Sequence, residues 1–253
     1  MRNIFSFQFS TLSFSDTVNQ ISKLSHLKKG AYICCANVHM SVEAVKNPNF
    51  DPVLREADLV VLDGIPLCWS FNLLHRIKPD RVAGRHLMHA LIQDAVLNGR
   101  SIFFFGSTPD KLDKAKEFLL KTYPGILIAG MIAPPFRALS EDENTVYAQQ
   151  INDSGASLVF VALGCPKQEI WMHKMKGEIN ATMLGIGIAL EVLTGQQIST
   201  PPWMERSGLE WLFRLLKEPK RLFKRYLHTN SYFIFLLLGA LLKKLFNKES
   251  KQY

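Results

Sequence analysis

Cysteine is scarce in this 253-residue chain: Cys34, Cys35, Cys68 and Cys165 form no CxxC pair and show no regular spacing. That scarcity argues against a disulfide framework or a thiolate zinc site and fits a reducing cytosol. Cys34 and Cys35 lie in an apolar run that reads as a strand, where a thiol behaves as a small apolar side chain. The seven His include no HExxH block, and no DxD-like cation motif is present, so no metal site is expected. Long apolar runs are lacking too. The longest, residues 232–242, has 11 residues and is closed by Lys243 and Lys244, short of the roughly 20 needed to span a bilayer. The N-terminus alternates Phe5, Phe7 and Phe9 with polar residues, which predicts a half-buried strand and not the continuous apolar core of a signal peptide. Internal repeats and low-complexity segments are absent. With 47% hydrophobic and 21% charged residues, disorder and collagen are excluded, and the length allows one large α/β domain or two small ones.

Positive charge is present in excess, and it is unevenly placed. The formal charge is +8; residues 203–253 hold 11 Lys/Arg and 4 Asp/Glu, whereas residues 1–202 hold 19 and 18. An anionic partner is therefore expected at the tail. There the cations are interleaved with Trp203, Trp211, Leu215, Leu222, Phe223 and Tyr226, a pattern that suits nucleic acid or an interfacial helix on anionic lipid. The apolar segment 232–242 decides for an anionic membrane surface and against nucleic acid, whose grooves need no such run. A helix packed on the body is the competing reading.

Between about residues 30 and 200, short apolar runs alternate with longer amphipathic ones. Strands are predicted at 31–36, 59–62, 101–105, 126–128, 158–163 and 182–186, and helices at 41–46, 66–74, 87–98, 111–122, 141–154 and 168–176. Unbroken apolar strands belong to parallel sheets covered on both faces. The expected fold is therefore α/β: a Rossmann-like, mostly parallel open sheet with helices on both faces. Pro201-Pro202 ends that body at residue 202. Residues 203–253 are expected to form a helical, basic appendage of two helices separated at Pro219 and a third, apolar one from Ser231.

Such sheets bind ligands at the carboxyl ends of their strands. Four turns fall there: Asp63-Gly64, Gly106-Ser107, Gly164-Cys165-Pro166 and Gly185-Ile186-Gly187. Taken together they predict one crevice. Asp63 directly follows a buried strand, where a carboxylate can act as a general base on a hydroxyl or simply cap a helix. The loop from Gly106 to Asp110 can receive phosphate at a helix start or serve as ordinary helix-start chemistry. After Gly164, Lys167 can meet phosphate and Gln168 a sugar or base; Lys167, Gln168 and Glu169 can equally form a solvated first turn. Arg81 can fork onto a phosphate or pair with an acid.

In order and at compatible spacing, these segments resemble the TagA/WecG/CpsF family of bacterial glycosyltransferases. The resemblance is carried by Asn37 with its preceding strand, residues 54–64 ending in Asp63-Gly64, Arg81-Val82-Ala83-Gly84 and Phe104-Phe105-Gly106. It continues through residues 161–169 ending in Pro166-Lys167-Gln168-Glu169, Gly185-Ile186-Gly187 and residues 208–215 beginning Gly208-Leu209-Glu210-Trp211. It implies an inverting, metal-independent transfer, without cofactor, from a UDP-sugar to a polyprenyl-diphosphate-linked sugar. The donors it allows are UDP-glucose, UDP-N-acetylglucosamine, and UDP-N-acetylmannosamine or its uronic acid. The location implied is peripheral, on the cytoplasmic face of the bacterial membrane. By the same resemblance Asp63 is the catalytic base. Cys35, Asn37, Arg81, Gly106, Gly164, Lys167, Gln168, Gly187 and Glu191 line the substrate site. Arg214, Arg221 and Arg225 meet diphosphate on the acceptor or the leaving UDP. Cys35 stands where many members have Thr, Arg85 and His86 follow Arg-Val-Ala-Gly, and Glu191 replaces a late Asp. A homo-oligomer is compatible with the family likeness, and an inactive relative that binds nucleotide-sugar or lipid is the alternative reading.

Overall fold

The computed structural model describes residues 5–249. Helix α1 (Phe14–Leu27) and strand β1 (Tyr32–Ala36) come first, then α2 (Val38–Lys46), α3 (Asp51–Arg55) and β2 (Leu59–Leu62). Helices α4 (Ile65–His75) and α5 (Gly84–Leu97) lead to β3 (Ser101–Gly106), α6 (Pro109–Thr122) and β4 (Leu127–Ile132). Next are α7 (Glu141–Asp153), β5 (Leu158–Ala162), α8 (Lys167–Lys174), β6 (Thr182–Gly185) and α9 (Ala189–Leu193). The tail contains α10 (Pro202–Arg206), α11 (Glu210–Lys217) and α12 (Pro219–Glu249).

All six expected strands form, in one parallel sheet of order β2-β1-β6-β5-β3-β4. Side chains alternate across each strand, so two cores result. Tyr32, Cys34, Phe103 and Phe105 enter one with residues of α2, α4, α7 and α8. Ile33, Cys35, Ile102 and Phe104 enter the other with residues of α1, α5, α6 and α9. Phe105 stacks on Trp171 at 4.2 Å between ring centroids, and the indole N–H donates to Asn144 Oδ1 at 2.9 Å. The chain therefore leaves β1 and β5 toward one face, and β3 and β6 toward the other. Because β1, β6, β5 and β3 are consecutive neighbours, their exits diverge alternately and leave a crevice above their carboxyl ends. Gly106 permits the close approach there: its φ is +126°, and a Cβ would lie 2.5 Å from the Ala162 carbonyl.

Two expectations need correction, and one helix was not foreseen. Residues 5–9 form no strand; Phe5 and Phe7 are buried, packed with Phe9 and Phe71, and Ser10 N–H donates to Val60 O at 2.8 Å. Alternation there reflects aromatic packing without a ladder. Helix α1 was not anticipated because its buried residues are Thr17, Ile21 and Ser25, a face too polar to show in the apolar pattern. In the tail, Pro219 does begin a helix, but no break follows near Ser231: α12 runs 31 residues. Counting uninterrupted apolar residues therefore understated it. The stretch Leu222–Phe246, 25 residues, is long and apolar enough to cross a membrane by length and composition. One face of α12, carrying Leu222, Thr229, Phe233 and Ala240, is buried; Phe233 and Ala240 join the first core. The opposite face exposes Phe223, Leu227, Ile234, Leu238, Leu242 and Leu245, each more than half accessible.

Candidate active site

The carboxyl end of β2 is tied to β1, since Asp63 N–H donates to Ala36 O at 2.9 Å. Asn37 follows, capping α2 by accepting the Met40 N–H on Oδ1 at 3.1 Å. Its Cα and Cβ lie 3.6 Å from the position a Cβ would take on Gly64, so Asn37 flanks the Asp63-Gly64 turn. The Asp63 side chain remains 27% exposed. It does not cap the helix that follows it; its carboxylate accepts the N–H of Gly84, at the start of α5. Burial lifts the Asp63 pKa to about 6, and the charge of Glu210 pushes the same way. Arg81, Arg214 and the Gly84 N–H act in opposition.

Arg81 is the hub beside it. Its Nε donates to Asp63 O, Nη1 to Glu205 at 3.0 Å and Nη2 to Glu210 at 2.5 Å, while Asp63 Oδ1 is 3.6 Å from Nη2. Arg85 also donates to Glu205, His86 stands 3.7 Å from that carboxylate, and Arg214 holds Glu210. Glu205 is only 9% exposed. The tail thus closes over Asp63 with two acids, although its net charge is basic. Gly208, between α10 and α11, sets their angle: its φ is +71° and a Cβ would press to 2.9 Å from the Trp69 ring.

A second cluster ties the other loops. Gln168 is 4% exposed; its Oε1 accepts from Gly164 N–H (3.2 Å) and Gly187 N–H (3.0 Å), joining the loops after β5 and β6. Its Nε2 donates to Glu169 at 2.7 Å. The solvated-turn reading of Lys167, Gln168 and Glu169 is corrected: Lys167 alone is exposed, and Glu169 is fully buried. Burial raises the Glu169 pKa to about 7, against the bonds it receives. At the end of β3, Ser107 holds φ +62°, a conformation unusual for a side-chain-bearing residue. Glu191 accepts from Ser107 Oγ and Lys111 Nζ, each at 3.0 Å. The clusters adjoin at Cys35, whose thiol pKa rises through burial first and then the charges of Asp63 and Glu169. Cys35 itself is 7% exposed and packs beneath Gly84.

The tail cations reach both clusters. Arg214 acts on Asp63, and Arg225 acts on His39 and Cys165, with its guanidinium 5.5 Å from the Tyr226 ring centroid. The side chain of Arg221 lies outside the described residues. Among the described residues no three His, Cys, Asp or Glu side chains form a metal-binding group. Reading the sequence assigned no role to Glu205, Glu210 or Lys111, and took Ser107 only as part of a loop that can receive phosphate. The available signal was an acid pair, Glu205 and Glu210, inside an otherwise basic tail.

The family model described as "Glycosyl transferase WecG/TagA/CpsF family" matches residues 2–247. A relative from Bacillus spizizenii (strain ATCC 23059 / NRRL B-14472 / W23) is 33% identical over 219 residues, covering 83% of each chain. Its name is N-acetylglucosaminyldiphosphoundecaprenol N-acetyl-beta-D-mannosaminyltransferase. A Bacillus subtilis (strain 168) protein of the same name is 30% identical over 220 residues, covering 87% of this chain and 84% of its own.

Proposed function

Since the chain belongs to the WecG/TagA/CpsF family and is a glycosyltransferase, we propose that it moves N-acetylmannosamine from its UDP derivative to N-acetylglucosamine on polyprenyl diphosphate. The sugars follow the names of the two Bacillus relatives. One observation carries the mechanism: Asp63, at the end of a buried strand, is partly exposed, with the Arg81 guanidinium 3.6 Å from its carboxylate. Asp63 takes the proton of the acceptor hydroxyl as its oxygen attacks the anomeric carbon. The bond to the UDP oxygen breaks on the opposite side, so the configuration inverts and UDP leaves with its electron pair. Arginines near the leaving diphosphate neutralise the charge that develops, the part a divalent cation plays elsewhere. Excess EDTA is therefore expected to leave the rate unchanged; inhibition reversed by added magnesium or manganese would contradict this step.

The raised pKa has a direction that can be checked. Only ionised Asp63 accepts a proton, so kcat/KM is expected to fall as pH drops through about 6. A pH–rate profile flat down to pH 5 opposes the assignment.

The exposed stripe of α12, with Lys224 and Lys243 on the same helix, supports a peripheral position on the anionic cytoplasmic leaflet. Vesicles containing anionic lipid are expected to retain the protein, and Leu238→Glu with Leu242→Glu to weaken that retention. Equal binding of the double variant opposes it.

A further inference from the structure

We propose that Glu210, assisted by Glu205, is a positioning residue that keeps Arg81 from closing onto Asp63 and so preserves the basicity of the base. The inference rests on the reading of Asp63 as the base. Each of the three Arg81 nitrogens is engaged, Nε on the Asp63 carbonyl oxygen, Nη1 on Glu205 and Nη2 on Glu210, and these three bonds fix where the guanidinium sits. The Asp63 carboxylate, 3.6 Å from Nη2, is left just beyond a hydrogen bond. Removal of Glu210 frees the nitrogen that lies nearest to Asp63. Arginine and carboxylate prefer a direct, bidentate pair, and less than an ångström of movement forms a bond here. A carboxylate so paired has its lone pairs occupied and its proton affinity lowered, which makes it a poor base on both counts.

Glu210 thus competes with Asp63 for one guanidinium and adds a like charge nearby. Arg214, on the same helix, holds Glu210 in place. Glu205 occupies Nη1 and bridges to Arg85, which removes a second cation from the base. The other groups that face Asp63 are Cys35 and Cys68, whose thiols burial keeps neutral. Of the four acids in residues 203–253, two therefore converge on a single arginine of the body. That placement ties α10 and α11 to the residue that stands beside Asp63.

The test uses the full chain carrying Glu210→Gln, with Glu210→Asp beside it. Protonation of Asp63 is followed by isotope-edited infrared titration, the Asp63 band being identified by its loss in Asp63→Asn. The Asp63 midpoint is expected to fall by about 1 unit or more in Glu210→Gln and to return toward wild type in Glu210→Asp. The acid limb of kcat/KM should move down by the same amount, with kcat lowered more than the donor KM changes. A merely structural role would lower the rate without moving either titration. An unchanged Asp63 midpoint in folded Glu210→Gln overturns the inference. If that variant fails to fold, Glu205→Gln is read the same way, with a smaller downward shift expected and an unchanged midpoint again overturning it. Should the infrared midpoint move while Asp63→Asn retains full activity, the base assignment fails and the control of Asp63 by Glu210 stands.

Discussion

Asp63→Asn is expected to lower kcat for sugar transfer by about 10²- to 10⁴-fold, the usual contribution of a positioned general base, while donor affinity changes little. Asparagine keeps the size of the side chain and an oxygen to accept the Gly84 N–H, but it cannot take a proton. The surrounding ion pairs survive, because Arg81 retains Glu205 and Glu210. Stability should move the other way. Native Asp63 holds its proton up to about pH 6, whereas the unfolded carboxyl releases it near 3.8. Between those values the folded state binds more protons, so this group's contribution to stability declines as pH rises across the window. Above it, the native protein carries a partly buried charge that asparagine removes. The variant is thus expected to melt at the same temperature as wild type or higher at pH 8. A variant that turns over normally, or one that is inactive because it has unfolded, contradicts this account.

Arg81→Met should damage both stability and activity. Methionine fills the space of the arginine stem but leaves Glu205, 9% exposed, and Glu210, 21% exposed, to share the remaining cations Arg85 and Arg214. Leaving buried charge under-compensated is costly; with two arginines still present the loss is set at about 2 kcal/mol, below the value for a fully orphaned pair. For a chain of this length that corresponds to a fall in Tm of about 4–8 °C. Transfer should fall by about 10²-fold, since a cation and the seat of the tail are lost together. Lysine is no substitute, because one ammonium cannot hold two carboxylates and the Asp63 carbonyl in a planar fork. Hydrogen exchange in α10 and α11 should accelerate while β1 and β5 stay protected. A wild-type Tm with unaltered exchange in the tail contradicts the role of Arg81 as the link between body and appendage.

How much of this was legible in the sequence varies with the kind of interaction. Parallel strands buried on both faces are unbroken apolar runs, so all six could be placed, and the positions of their ends led to Asp63, Gly106, Gly164 and Gly187. Helix α1 was hidden because Thr17 and Ser25 are buried on it. A solvated turn stayed open for Glu169 because the residues alone do not say which side of the first turn of α8 faces the sheet, where Glu169 is buried. Gln168 was anticipated as a ligand for sugar or base; that its amide oxygen braces two loops could not be read from the sequence. The pairing of Arg81 with Glu205 and Glu210 spans 124 and 129 positions. No periodicity or local motif reaches that far; only the packed tail brings them together. The length of α12, by contrast, is legible in composition: Leu222–Phe246 is apolar as a whole although lysines and arginines interrupt the run.

The most direct test of the central claim is release of UDP by the purified chain in detergent, with N-acetylglucosaminyl-diphosphopolyprenol as acceptor and a panel of UDP-sugars as donors. The account predicts acceptor-dependent release with UDP-N-acetylmannosamine above the other donors. Measurable UDP binding without acceptor-dependent release from any donor would contradict it and favour a relative that binds its ligands without transferring sugar.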